Sequence, residues 1–111
     1  MNCKDAVIEK LRKFRQEDVI ISDHAEESAL WRGLQKDEIR ENIINPARLE
    51  YAIPQEAEKA DEEKYECFFS YGEMLCHRYI IAISHKCVVC TVIAINRRWR
   101  PIAEKHAQAQ V

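Results

Sequence analysis

The stretch Cys87-Val-Val-Cys-Thr-Val-Ile-Ala-Ile95 is apolar at nearly every position, and it constrains the fold more than any other feature of the chain. A strand without a polar face belongs inside a sheet, covered on at least one side by helices. Two further strands precede it, Tyr65 to Tyr71 and Leu75 to Ser84, with turns at Gly72-Glu73 and around His85-Lys86. Connections this short predict an antiparallel meander. In Arg48 to Ile53 the residues Leu49, Tyr51 and Ile53 alternate with Arg48, Glu50 and Ala52, which predicts a half-buried strand. Pro54 through Lys64 is acidic and has no strong apolar face, so it is expected to be an exposed loop.

Helical periodicity fills the first half. Val7, Ile8, Leu11 and Phe14 form one apolar stripe, predicting a helix over Lys4 to Gln16 whose stripe either covers the sheet or forms a dimer seam. Val19-Ile20-Ile21 predicts a short strand. Asp23 suits an N-cap and Glu26 would complete a capping box, making His24 the first residue of the next helix, near the positive end of its dipole. Gly33 supplies the left-handed conformation that ends that helix. Ile39, Ile43 and Ile44 give a third helix its buried side, and Asn45-Pro46 stops it. Pro101 to Val111 is polar and alanine-rich, predicting a frayed helix or a tail.

At 111 residues the chain is expected to be a single domain, 1–111. With 47% apolar and 32% charged residues it has the composition of a soluble globule, and neither a membrane span nor a signal peptide is expected. A cytoplasmic location follows as an expectation, and the five cysteines are then reduced thiols rather than a disulfide framework. The net charge of −2 argues against bulk nucleic-acid binding but averages over an asymmetry. Acidic residues collect in Glu56 to Glu66; basic ones collect in Lys10 to Arg15 and in Arg97-Arg98-Trp99-Arg100. Such local basic surfaces suit RNA or an acidic protein.

Cys87-Val-Val-Cys90, near His85 and His77, has zinc-ligand spacing, but residues three apart on a strand point to opposite faces, and no second cysteine pair completes a site. No metal is expected. With only Gly33 and Gly72 in the chain there is no phosphate-cradling loop, so no nucleotide cofactor of the P-loop or dinucleotide kind is expected. What remains is His24 at a helix mouth with Arg32, Arg78 and Arg97 as cations that a sheet could gather around it. Histidine and arginine together can deprotonate a 2′-hydroxyl, protonate a leaving oxygen and hold the charge of a phosphorane, which is RNA cleavage without a metal.

The landmarks Ser22, His24 and Ala25 after a strand, then Arg32-Gly33-Leu34, a helix ending Asn45-Pro46, and alternating strands closing with an apolar one that contains Thr91 resemble the domain-of-unknown-function family numbered 4258. The resemblance covers the core, 19–95; the N-terminal helix, 1–17, and the basic end and tail, 97–111, lie outside it. That family is similar in predicted fold to the RelE and BrnT toxins, small ribonucleases of toxin-antitoxin pairs. The resemblance implies an α+β domain with helices packed on one face of a curved, mainly antiparallel sheet of four to five strands. It also implies a metal-free endoribonuclease with RNA as substrate and an antitoxin protein as partner. The resemblance marks His24 and Arg32; joined by Arg78 from the sheet they are expected to be catalytic, and the basic end, Arg97, Arg98, Trp99 and Arg100, is expected to bind RNA, with Trp99 as a stacking surface. Two departures stand out: Gln35 occupies a helix start where Ser or Thr is expected, and Trp31 replaces a polar residue before Arg32. The competing expectation is a noncatalytic module that binds a protein, its own copy, or nucleic acid through the basic end.

Overall fold

The apolar run forms β5 (Cys87–Ile95), an interior strand of a five-stranded sheet, in a computed structural model that describes residues 1–109. The other strands are β1 (Val19–Ile21), β2 (Leu49–Gln55), β3 (Glu63–Ser70) and β4 (Cys76–Ile83), and the order across the sheet is β1-β5-β4-β3-β2. β2 to β5 make the predicted antiparallel meander. β1 is added parallel to β5, with Val19 opposite Cys87 and Ile21 opposite Val89, so the sheet is mixed. The α+β class holds.

Three helices cover one face. α1 (Lys4–Leu11) contributes Val7 and Leu11, α2 (Asp23–Trp31) contributes Ala25 and Ala29, and α3 (Lys36–Ile44) contributes Ile39 and Ile43. All six are buried against Ala52, Cys67, Phe69, Tyr79, Ile81, Val89 and Val92 of the sheet. The stripe on the first helix is therefore core and not a dimer seam. That helix also ends sooner than its periodicity suggests: the chain turns after Leu11 so that Phe14 folds back onto the same core. The following turn, Gln16–Asp18, is closed by the Asp18 carboxylate accepting from the Arg15 amide at 2.9 Å.

The expectation that helices occupy one face alone does not hold. The C-terminal segment forms α4 (Arg100–Ala109), which lies on the opposite face and closes a second apolar cluster of Ile53, Phe68, Cys76, Trp99 and Ala103. Strand alternation explains how both clusters form: Cys67 and Phe69 point one way, and Phe68 points the other. Two bulges adjust this alternation. Glu50 is the extra residue between Leu49, opposite Phe69, and Tyr51, opposite Phe68. Leu49 consequently enters the first core, while Tyr51 and Ile53 face the second cluster, so these three do not share a side. Cys90 is the extra residue in β5, between Val89 and Thr91.

The outer edge of β2 is blocked by the N-terminal residues. Asn2 accepts from the Ala52 amide at 2.9 Å and donates to the Glu50 carbonyl at 3.0 Å, and the Cys3 amide donates to the Ala52 carbonyl at 2.7 Å. A side chain thus satisfies strand groups that would otherwise invite another chain. Among the described residues no helix is long and apolar enough to cross a membrane.

Candidate functional site

The sheet separates the residues that the sequence reading joins. His24 sits in the first turn of α2, one position later than expected: Ser22, not Asp23, is the N-cap, its Oγ accepting from the Ala25 amide at 3.1 Å. The same hydroxyl donates to the Cys90 carbonyl at 3.1 Å and ties the helix start to β5. His24 is exposed. Arg32 is exposed at the other end of α2, where its guanidinium turns back and donates to the Ser28 carbonyl at 3.2 Å. Both belong to the helix that packs on the first face, whereas Arg78 projects from the second. His24 and Arg32 therefore do not form a site with Arg78.

Arg78 meets other partners. Its Nε donates to Glu66, whose side chain is 4% exposed, and the His106 Nδ1 lies 3.0 and 3.1 Å from the two Glu66 oxygens. β3 places Glu66 by alternation on the face that carries Phe68, β4 places Arg78 opposite Phe68, and α4 brings His106 over the edge of the Phe68 ring. A carboxylate this buried requires charge-assisted partners. Here it has two, from separate elements. Nδ1 facing a carboxylate is the donor, which fixes the tautomer and leaves Nε2 as a proton acceptor on a side chain that is 42% exposed. The guanidinium retains its terminal N–H groups for an anion.

The row of charged side chains continues along this face toward the 56–62 loop. Lys64 lies two residues before Glu66 on the same face, 3.5 Å from Glu58. A cleft of about 250 Å³ lies there, lined by Lys64, Ala82, Val88, Cys90 and, from the 56–62 loop, Glu58, Lys59 and Glu62, and not by Glu66, Arg78 or His106. A larger cleft of about 440 Å³ lies between the end of α1 and the β4–β5 turn, but there Lys10 is already bound to Glu63 at 3.2 Å. Size alone does not make it the chemical centre.

The basic end divides in two. Arg97 and Arg98 are exposed in the link between β5 and α4. Trp99, expected at the surface, is fully buried: it stacks on Phe68 at 6.3 Å between centroids, and its Nε1 donates to the Gly72 carbonyl at 2.7 Å. It anchors α4 and has no free face for a base. Arg100 covers the Trp99 ring at 4.6 Å and pairs with Glu50, so it too is engaged in holding α4.

The cysteines are all free thiols. Cys87 is buried in the first core, where desolvation pushes its thiol up to about 12, while Cys90 is half-buried on the other side beside Lys64. Cys76, under α4, is likewise pushed up to about 12 by burial. Thiols held protonated in this way are poor nucleophiles.

Glu66 and His106 were not singled out from the sequence, although both leave a trace there. Glu66 is a charge inside the apolar run Tyr65-Glu-Cys-Phe-Phe69, and Trp99, Ala103, His106 and Ala107 recur at helical spacing. Comparison of the chain with protein-family models, with curated proteins and with solved structures returned no match.

Proposed function

We propose that the chain is a RelE/BrnT-like endoribonuclease whose acid–base centre is His106, held by Glu66, with Arg78 as the phosphate-binding cation. The observation that carries this reading is the buried Glu66 carboxylate bridging Arg78 and His106 on a sheet face that α4 covers only in part. In the reaction Nε2 of His106 takes the proton of the RNA 2′-hydroxyl as its oxygen attacks phosphorus. Glu66 orients the ring and stabilises the imidazolium that forms. Arg78 holds the negative charge that builds on the non-bridging oxygens. The imidazolium returns its proton to the departing 5′-oxygen, so the products are a 2′,3′-cyclic phosphate and a 5′-hydroxyl. These groups suffice for the chemistry without a metal. Arg97 and Arg98, at the opposite end of α4 from His106 and about 10 Å along its axis, are placed to hold flanking phosphates. In a toxin-antitoxin pair the antitoxin would cover this face.

Cleavage of a mixed-sequence RNA in excess EDTA tests the proposal, with the ends analysed for cyclic phosphate. His106→Ala should lower the rate by roughly 10²–10⁴-fold, Glu66→Gln should also impair it, and His24→Ala should leave it unchanged. Activity that survives His106→Ala but not His24→Ala would overturn the assignment.

A further inference from the structure

A second surface stands apart from the sheet site. Leu30 and Trp31, adjacent at the end of α2, are 80% and 82% exposed. On a helix Asp23, Glu27, Leu30 and Trp31 fall within about 100° of arc, opposite the buried Ala25 and Ala29. That outward face has an acidic half and an apolar half. Asp23 and Glu27 make no ion pair among the described residues, whereas the neighbouring Glu26 is bound to Lys36 at 3.0 Å. Beside Leu30 a cleft of about 270 Å³ continues the surface over Gly33, Leu34 and Gln35. A tryptophan next to such a cleft is the kind of side chain that anchors protein interfaces.

The charges select the occupant. Asp23 and Glu27 repel phosphates, and Arg32, the cation nearest to Trp31 in sequence, is turned back onto the Ser28 carbonyl, so the face opposes RNA despite its exposed indole. A second copy docked through the same face would bring Asp23 and Glu27 no cation, since that face carries neither lysine nor arginine. A partner with positive charges beside apolar anchors meets both halves. We infer that the outward face of α2 is a docking surface for a helical segment of a partner protein, one that carries apolar anchors flanked by lysine or arginine. This inference is independent of the nuclease reading.

The intact protein supplies its own reporter, since its two tryptophans are the exposed Trp31 and the buried Trp99. The probe is a synthetic helical peptide of leucine and lysine with leucines along one side. Controls are the same peptide with glutamate for lysine, a scrambled version, and oligouridylate. The leucine–lysine peptide should bind and shift tryptophan emission to the blue. Leu30→Ser and Glu27→Lys should each weaken it by about tenfold or more, and Trp31→Phe should abolish the shift while binding persists by calorimetry. Far-ultraviolet dichroism confirms that these surface variants fold. Equal binding of the acidic or scrambled peptide would overturn the inference. So would tighter binding of oligouridylate at Trp31, self-association through this face in sedimentation, or peptide affinity indifferent to Leu30→Ser.

Discussion

The two faces of the sheet solve the same problem with different materials. On the first face three helices bury an apolar core whose polar members are uncharged or lie at its rim. Asn42 donates to the hydroxyls of Tyr71 and Tyr79, both at 2.9 Å; Tyr71 donates to Glu38 at 2.8 Å, and the Tyr79 hydroxyl lies 3.2 Å from the Nδ1 of buried His77. The Asn42 amide thus joins both tyrosines, and every polar side chain of the network has a partner. On the second face one helix covers a small aromatic cluster and leaves the adjoining row to Glu66, Arg78 and His106. Full cover thus goes with neutral polar groups, and partial cover goes with a charged group open at one side. The second arrangement is the one that can exchange protons with a ligand.

Removing the anchor of each cover is the most disruptive way to break this contrast. Trp99→Ala should cost about 3–5 kcal/mol in a denaturant titration, because it empties the centre of the smaller cluster. Hydrogen exchange should show α4 losing protection first while α2 and α3 keep theirs. Simultaneous loss from all three helices would mean that the two faces fold as one unit. Asn42→Leu, which keeps the branched shape but strips both tyrosine hydroxyls of their donor, should cost about 1–3 kcal/mol. A neutral effect would show that the first-face network adds no stability.

Acid should act on the first face through His77. Desolvation holds its folded pKa below the ordinary value of 6.5, the positive charge of Arg48 adds in the same direction, and Glu38 opposes them. The neutral ring is therefore favoured on folding. The contribution is fully present above the unfolded value and is lost as pH falls below it, because the unfolded chain then binds the extra proton. One proton sets the limit at about 1.4 kcal/mol per pH unit. Protonation makes both ring nitrogens donors, so that the Tyr79 hydroxyl beside Nδ1 could act there only as an acceptor. The difference in urea midpoint between pH 7 and pH 5 should shrink in His77→Phe; an unchanged difference would assign the acid sensitivity elsewhere. Ser22→Ala should have the smallest effect, about 1 kcal/mol for the lost cap, with little change in any cleavage activity since α2 lies away from Glu66.

Much of this architecture was legible in residue order because it rests on local rules. Gly33 takes φ +67° at the end of α2 as expected, Gln35 starts α3 without a side-chain cap, and the meander follows from its short turns. Errors arose where a local rule met a longer-range demand. Ser22 displaced Asp23 as N-cap because its hydroxyl also reaches Cys90 on β5. The Glu50 bulge moved Tyr51 and Ile53 to the face opposite Leu49, and a period of two cannot register an extra residue.

The sequence by itself determined the order of helices and strands up to β5, because backbone propensity and apolar period act over a few residues, but not that α1 stops at Leu11, that β2 and β3 extend to Gln55 and from Glu63 into the expected loop, or that the last segment is a helix and not a tail. It also determined that β5 must be interior. Only the tertiary structure decided which side of the sheet each charge would occupy. Glu66 lies 12 residues from Arg78 and 40 from His106, and no local signal links them. They meet because α4 crosses to the second face to bury Trp99, and that crossing is fixed by packing and not by the helix's own sequence. The same choice left His24 and Arg32 on the far side of the sheet from Arg78.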